Sequence, residues 1–362
     1  MRLSVLSVAY PLAPVTADPV GGAEQVLARL DRALVARGHR SLVIACEGSR
    51  VAGDLRPIPA VAGPITDWDA ERVRAAVRAR IAEVVASDRP DVIHLHGIDF
   101  PSYLPLPGPP VLVTLHLPLD WYPPEALAPV RPGTHLHPVS AAQAATAPPG
   151  SRIEAPIENG VDIPDLKQRR RCYVFALGRI CPEKGFDDAL DAARLAHVPL
   201  LLAGTVFPYP DHERHFRRAI APRLSWRRRW IGPVEGARKQ ALLANARCVL
   251  LPCKARETSS LVTMEALAAG TPVIAYPTGA LPDIVEHGRT GFLVRDVPEM
   301  AEAIRKVGAL DPETCRAAAI ARFGADRMIE GYLRRYEDLA AKSARLRPIE
   351  TVTGTSQARE RL

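Results

Sequence analysis

The sequence predicts an α/β protein: two Rossmann-like domains with parallel sheets that face an interdomain cleft. Three observations carry that expectation. The 362 residues exceed one typical domain and suit two. Short aliphatic runs alternate with stretches of helical period, the pattern of parallel strands covered by helices. The alternation pauses once, in a polar, basic stretch at residues 164–171, and then begins again.

Residues 3–9 form an apolar run suited to a strand buried on both faces. The run is short and no small-residue cleavage site follows, so it reads as a first strand rather than a signal peptide. A loop rich in Pro and Gly, 10–22, leads into a helix in which Val26, Leu27, Leu30, Ala33 and Leu34 recur at helical spacing. Gly38 is placed to end that helix. Residues 41–45 read as the second strand, 69–85 as a helix capped by Asp69, and 92–95 and 111–115 as further strands. The first series closes near Asn159, Gly160, Val161 and Asp162. In the second series strands are expected at 173–177, 200–203, 229–231, 249–251 and 273–275, with helices near 186–195, 238–244 and 261–269. This divides the chain into an N-terminal domain, 1–163, and a C-terminal domain, 172–325, followed by a last helix at 326–344 and a polar tail, 345–362, expected to be disordered.

Composition excludes several classes. Hydrophobic residues at 47% and charged residues at 24% are the balance of a soluble globular protein, not of a disordered one. The net charge of +7 gathers at 167–171 and 214–229 without aromatics at recognisable spacing, which disfavours nucleic-acid binding. Affinity for phosphates, or a peripheral contact with an anionic membrane, stays open. No run approaches the roughly 18 apolar residues needed to span a bilayer. The six cysteines contain no Cys-x-x-Cys pair, and their spacing fits neither a zinc site nor a disulfide framework, so a reducing, cytoplasmic setting is expected, with the inner face of a membrane left open.

The most informative stretch is 252–275, which holds Glu257 and Glu265. On one continuous helix the two would differ by about 80° around the axis and about 12 Å along it, and would not share a face. A better arrangement puts Glu257 in the loop after a strand and Glu265 in the helix, with Thr258, Ser259 and Ser260 as caps. Backbone N–H groups of Ser260 and Leu261 could then hold a phosphate. An ordinary strand–cap–helix unit with solvated glutamates fits the spacing as well. Arg179 and Lys184 follow a strand, where two cations could neutralise a diphosphate or simply be solvated. Gly21 and Gly22 open a helix after the first strand and would let backbone approach a ligand, although the Gly-x-Gly-x-x-Gly dinucleotide fingerprint is absent, which disfavours a dehydrogenase. His116 ends a strand and aims at the same cleft. His94 and His96 alternate on one strand, but no carboxylate or cysteine set accompanies them, so structural or substrate-lining roles rank above metal binding. No metal site is expected.

Taken together these segments resemble the retaining glycosyltransferases of family 4, which have the GT-B fold. The resemblance covers nearly all of residues 1–330. It rests on Glu257, seven intervening residues and Glu265, followed by Ala-Leu-Ala-Ala-Gly-Thr-Pro-Val-Ile-Ala. It rests also on Gly178-Arg179 with Lys184-Gly185, on Asn159-Gly160-Val161-Asp162, on 279–294, and on Gly21-Gly22-Ala23-Glu24. The resemblance implies that Glu265 binds the donor ribose, that Glu257 lies near the sugar ring, and that His116 contacts the donor sugar. It implies that Arg179 and Lys184 stabilise the leaving phosphate without a metal, that Gly21 and Gly22 face donor phosphate and acceptor, and that the last helix packs back on the N-terminal domain. The substrates implied are a UDP- or GDP-linked sugar, with no further cofactor, and a saccharide, lipid-linked or small-molecule acceptor hydroxyl. The chain departs from the commonest family pattern in carrying Thr-Ser-Ser-Leu after Glu257 where a Gly-Phe-Gly-like turn is usual. A nucleotide-sugar epimerase of the same fold and a noncatalytic nucleotide-sugar-binding protein remain alternatives, separable by whether a new glycoside forms.

Overall fold

The computed structural model describes residues 2–16, 19, 21–61, 63, 66–165 and 173–346. Most of the expected linker, and the tail from 347 on, lie outside the described residues. The first series runs β1 (Ser4–Val8), α1 (Gly22–Ala36), β2 (Arg40–Cys46), β3 (Asp54–Ile58), α2 (Asp67–Asp88), β4 (Val92–Leu95), β5 (Val111–Leu115), β6 (Thr134–Pro138) and α3 (Ala141–Ala144). The second runs β7 (Val174–Leu177), α4 (Phe186–Leu195), β8 (Leu200–Ala203), α5 (Pro210–His215), β9 (Arg228–Trp230), α6 (Gly236–Asn245), β10 (Val249–Leu251), α7 (Leu261–Ala268), β11 (Val273–Ala275), α8 (Leu281–Ile284), β12 (Gly291–Leu293), α9 (Val297–Lys306) and α10 (Pro312–Phe323); α11 (Ala325–Leu346) follows.

Each series builds a six-stranded parallel sheet, in the orders β3-β2-β1-β4-β5-β6 and β12-β11-β10-β7-β8-β9. The central strands are buried on both faces, which is why they read as unbroken aliphatic runs rather than as alternating ones. Strands β3, β6 and β12 were not expected. Asp-Leu-Arg-Pro-Ile and Thr-His-Leu-His-Pro carry charge, proline and histidine, β12 is only Gly-Phe-Leu, and all three are edge strands.

Helix α2 corrects one expectation. Its N-cap is Thr66, not Asp69. The Thr66 side chain accepts from the Asp69 backbone N–H at 3.2 Å while the Asp69 carboxylate accepts from the Thr66 N–H at 3.2 Å, a reciprocal capping box. The last helix is longer than the expected 326–344. Its residues Met328, Tyr332, Tyr336 and Leu339 join a core with Leu3, Val5 and Leu112 at the first sheet and Leu30 of α1. The chain enters this helix beside the exit from the first domain: Val161 N–H donates to Phe323 O at 2.8 Å, and Ala325 N–H to Val161 O at 2.9 Å. Gly160 permits that crossing, because a Cβ there would lie 2.7 Å from Gly324 O.

Candidate active site

Both sheets reverse strand order beside their first strand, β1 against β4 and β7 against β10. In open parallel sheets ligands bind at the carboxyl ends of such strand pairs. Here the two switch points face each other. Gly22 at the start of α1 lies opposite Leu261 at the start of α7, so that a Cβ on Gly22 would stand 3.6 Å from Leu261 Cδ1. Gly21 has a different reason to be bare: a Cβ there would fall 1.8 Å from Glu24 Oε2, so the glycine lets the Glu24 carboxylate fold back over the helix start.

On the C-terminal side, β7 is followed by Gly178 and Arg179 and then by a 3-10 turn at Pro182–Lys184. Gly185 closes the turn at φ 63°, pressed so near the exit of β10 that a Cβ would lie 2.1 Å from Pro252 O. This packing delivers Lys184 Nζ to Glu257 Oε1, with which it forms an ion pair. Glu257 is itself fixed by its backbone: Ala280 N–H donates to Glu257 O at 2.8 Å, and Gly279, at φ 56°, packs against the same carbonyl. Burial opposes the charge on both partners. Lys184 is nevertheless raised by the Glu257 carboxylate, and Glu257 is held below its ordinary range by Lys184 and by a hydrogen bond from Cys253. The positive charge of Arg179 acts on Glu257 and, across the gap, on Glu24, whose carboxyl burial pushes up.

Glu265 sits on α7 between cations from both domains. Its Oε1 accepts from Arg29 Nη2 at 3.3 Å and from Lys239 Nζ at 3.2 Å, and Arg29 Nε also reaches Asp162 Oδ2 at 3.4 Å. These groups line a cavity of about 250 Å³ between α1, α6 and α7. The sequence had not singled out Arg29 or Lys239, and Glu24 entered only as part of the Gly21-Gly22-Ala23-Glu24 match. The one available signal was that Gln25 and Arg29 stand four apart on the helix that Gly21 and Gly22 open, and their side chains do meet, at 3.4 Å.

Of the three hydroxyl residues expected as caps, Ser260 caps α7, accepting from Thr263 N–H at 3.4 Å. Thr258 instead donates to the backbone carbonyl of His116 at 2.8 Å, and its own carbonyl accepts from Ser140 at 2.6 Å. The Thr-Ser-Ser-Leu segment is therefore a contact between domains. Ser259 Oγ is buried and has no hydrogen-bond partner.

His116 lies at the end of β5, its Nε2 3.0 Å from His96 Nδ1 with the rings stacked. Burial drives the His116 imidazole down to about 3, with His137 adding to the effect. It is thus a neutral ring at physiological pH, fit to give or accept a hydrogen bond but not to carry a positive charge. His94 uses both ring nitrogens, Nδ1 with Tyr336 Oη and Nε2 with Thr114 Oγ1, each at 2.7 Å. Those contacts occupy the atoms a metal would need.

The structure therefore brings Arg179, Lys184, Glu257, Gly21, Gly22, Ser260, Leu261 and His116 to one interdomain gap, with Glu265 in the cavity beside it. Residues 20–149 match the profile of Glycosyltransferase Family 4, and residues 171–309 that of Glycosyl transferases group 1. The chain is 27% identical over 390 aligned positions to a phosphatidyl-myo-inositol mannosyltransferase of Mycobacterium tuberculosis, covering 95% of this chain and 97% of that one. It is 34% identical over 184 positions to a D-inositol 3-phosphate glycosyltransferase of Mycobacterium sp., covering 48% of this chain and 39% of that one. AviGT4, a glycosyltransferase of avilamycin A biosynthesis, superposes with a TM-score of 0.68 at 25% identity, covering 94% and 98% of the two chains. The Anabaena Alr3699/HepE protein solved with UDP-glucose shares the fold, with a TM-score of 0.72 at 19% identity over 93% and 100% of the chains. With the two profiles in tandem, one on each sheet, and relatives aligned end to end, the chain belongs to the family 4 glycosyltransferases of the GT-B fold.

Proposed function

We propose that the chain transfers a sugar from a UDP- or GDP-linked donor to an acceptor hydroxyl with retention at the anomeric carbon. The observation that carries this reading is the placement of Lys184, Glu257 and Arg179 at the carboxyl end of β7 and β10, opposite the start of α1. As the bond from the anomeric carbon to the donor phosphate breaks, negative charge grows on the departing oxygen. Arg179 and Lys184, the latter held by Glu257, are cations placed for that charge, and in this reading they stabilise it more in the transition state than in the ground state. Glu257 keeps Lys184 placed and charged. The acceptor oxygen bonds to the same carbon from the face the phosphate leaves, and its proton passes to a phosphate oxygen. The products are a glycoside and a nucleoside diphosphate. In this scheme the two cations do the work a catalytic metal would otherwise do.

Glu265 is the acceptor for the donor ribose hydroxyls in this reading, with Arg29 and Lys239 holding its carboxylate. His116, neutral, offers its ring as a hydrogen-bond group to the sugar. The names of the relatives favour an acceptor that carries inositol, free or lipid-linked. No described helix is long and apolar enough to cross a membrane; in this reading a lipid-linked acceptor is met at a membrane surface. A panel of nucleotide sugars, offered with inositol, inositol phosphate and phosphatidylinositol, tests the reading through released nucleoside diphosphate and the glycoside formed. Consumption of one donor with a new α-glycoside is expected. Donor binding without turnover on every acceptor, or an inverted product, would overturn it.

A further inference from the structure

The strands β7 and β8 are neighbours, and their exits bring together residues that lie far apart in sequence. Cys181 and Glu183 flank the start of the turn after β7, and His212 lies on α5, after β8. The two exits are tied by Ile180 N–H donating to Thr205 O at 3.0 Å. Gly204, at φ 144°, lets them come that close, because a Cβ there would lie 1.8 Å from Gly178 O. As a result the Cys181 sulfur, a Glu183 carboxylate oxygen and a His212 ring nitrogen all lie within 4.8 Å of one another.

We propose that Cys181, Glu183 and His212 form a zinc site that clips α5 to the turn carrying Lys184. Sulfur, imidazole and carboxylate together are a donor set that zinc takes, with three protein ligands and a fourth position for water. A second observation points the same way. His212 Nδ1 is buried without a hydrogen-bond partner, an unmet cost that a metal bond would remove. Charge balances as well. Binding releases the Cys181 thiol proton to solvent, and thiolate plus carboxylate then offset the dication. Arg179 and Lys184 act on the same cluster and oppose a cation, but Lys184 is already paired with Glu257. The cysteine spacing gave no hint of this site, since two of the ligands come from one turn and the third from the next crossover. The inference stands apart from the transfer reaction, and its test does not need turnover.

The metal-free chain is titrated with Zn²⁺ against a chromophoric chelator and, separately, with Co²⁺. About one zinc per chain, a thiolate-to-cobalt charge-transfer absorption and a rise in melting temperature are expected. Cys181→Ser should abolish the charge-transfer absorption, and His212→Ala should weaken zinc binding at least about tenfold. Glu183→Gln serves as the third arm if either variant melts anomalously without metal. No zinc held against the chelator, no thiolate absorption, or unchanged binding in all folded variants would overturn the site.

Discussion

The two sheets end in opposite electrostatic regimes. Along β4, β5 and β6 the N-terminal domain gathers His94, His96, His116 and His137, a set of titratable rings with no carboxylate bonded to any of them among the described residues. Burial holds every one of them below its ordinary value, His116 at about 3 and His137 at about 4. The histidines are neutral hydrogen-bond groups: His94 and His137 bond Thr114, His94 also bonds Tyr336, and His96 bonds His116. Beyond β7 and β10 the C-terminal domain also desolvates its groups but keeps them charged, because Lys184 and Glu257 compensate each other. The same desolvation thus gives a neutral wall on one side of the gap and a charged one on the other. Only the charged wall can answer the charge of a departing phosphate.

The strongest way to break this contrast is to discharge the charged wall. Lys184→Ala should lower turnover about 10²- to 10³-fold, read as nucleoside diphosphate released. It should also destabilise the fold by about 3 kcal/mol, because Glu257 is left buried and unpaired. Lys184→Met with Glu257→Gln should recover much of that stability and none of the turnover. Near-normal activity in either variant would remove Lys184 from the phosphate site.

Acid should break the neutral wall. Histidines whose folded pKa lies below the unfolded value of about 6.5 bind fewer protons folded than unfolded, so stability rises with pH across the interval between the two values. Stability is then fully present above about pH 6.5 and falls progressively toward pH 4 and below, by about 1.4 kcal/mol per unit for each ring not yet protonated in the fold. Glu257, with a depressed carboxyl, adds its own loss as pH falls through its folded value. Denaturant midpoints measured from neutral to acid pH check this, and His137→Gln should flatten the slope.

The two walls also differ in how far the sequence disclosed them. The strands at 92–95, 111–115, 200–203, 249–251 and 273–275 were read to the residue, because parallel central strands are continuous aliphatic runs with no other use for that pattern. Lys184, Glu257 and Glu265 were singled out by the family resemblance, because spacing alone fitted solvated side chains as well. Arg29 and Lys239 were not, since the one reaches Glu265 from the other domain and the other from α6, and no local spacing encodes either contact. The histidines looked like candidate ligands or sugar contacts. The partner of His94, Tyr336, arrives from a helix more than 200 residues later. Tyr336→Phe tests that tie directly: it should cost about 2 kcal/mol by leaving His94 Nδ1 buried without a partner, read by denaturant unfolding.

The smallest expected effect concerns the place where the two walls touch. Thr258 donates to the His116 carbonyl at 2.8 Å, so the loop that carries the charged Glu257 is bonded to the end of the strand that carries the neutral histidine. If this bond favours the closed gap, Thr258→Val keeps shape and removes about 1 kcal/mol from closure. Closure is linked to donor binding, so KM for the donor should rise about fivefold. In the proposed reaction the chemical step uses the cations and not this hydroxyl, so kcat should change little. A drop in kcat at constant KM would instead place Thr258 at the reacting atoms. The neutral wall would then hold its side of the reaction through a bond to the charged one, rather than by hydrogen bonds of its own.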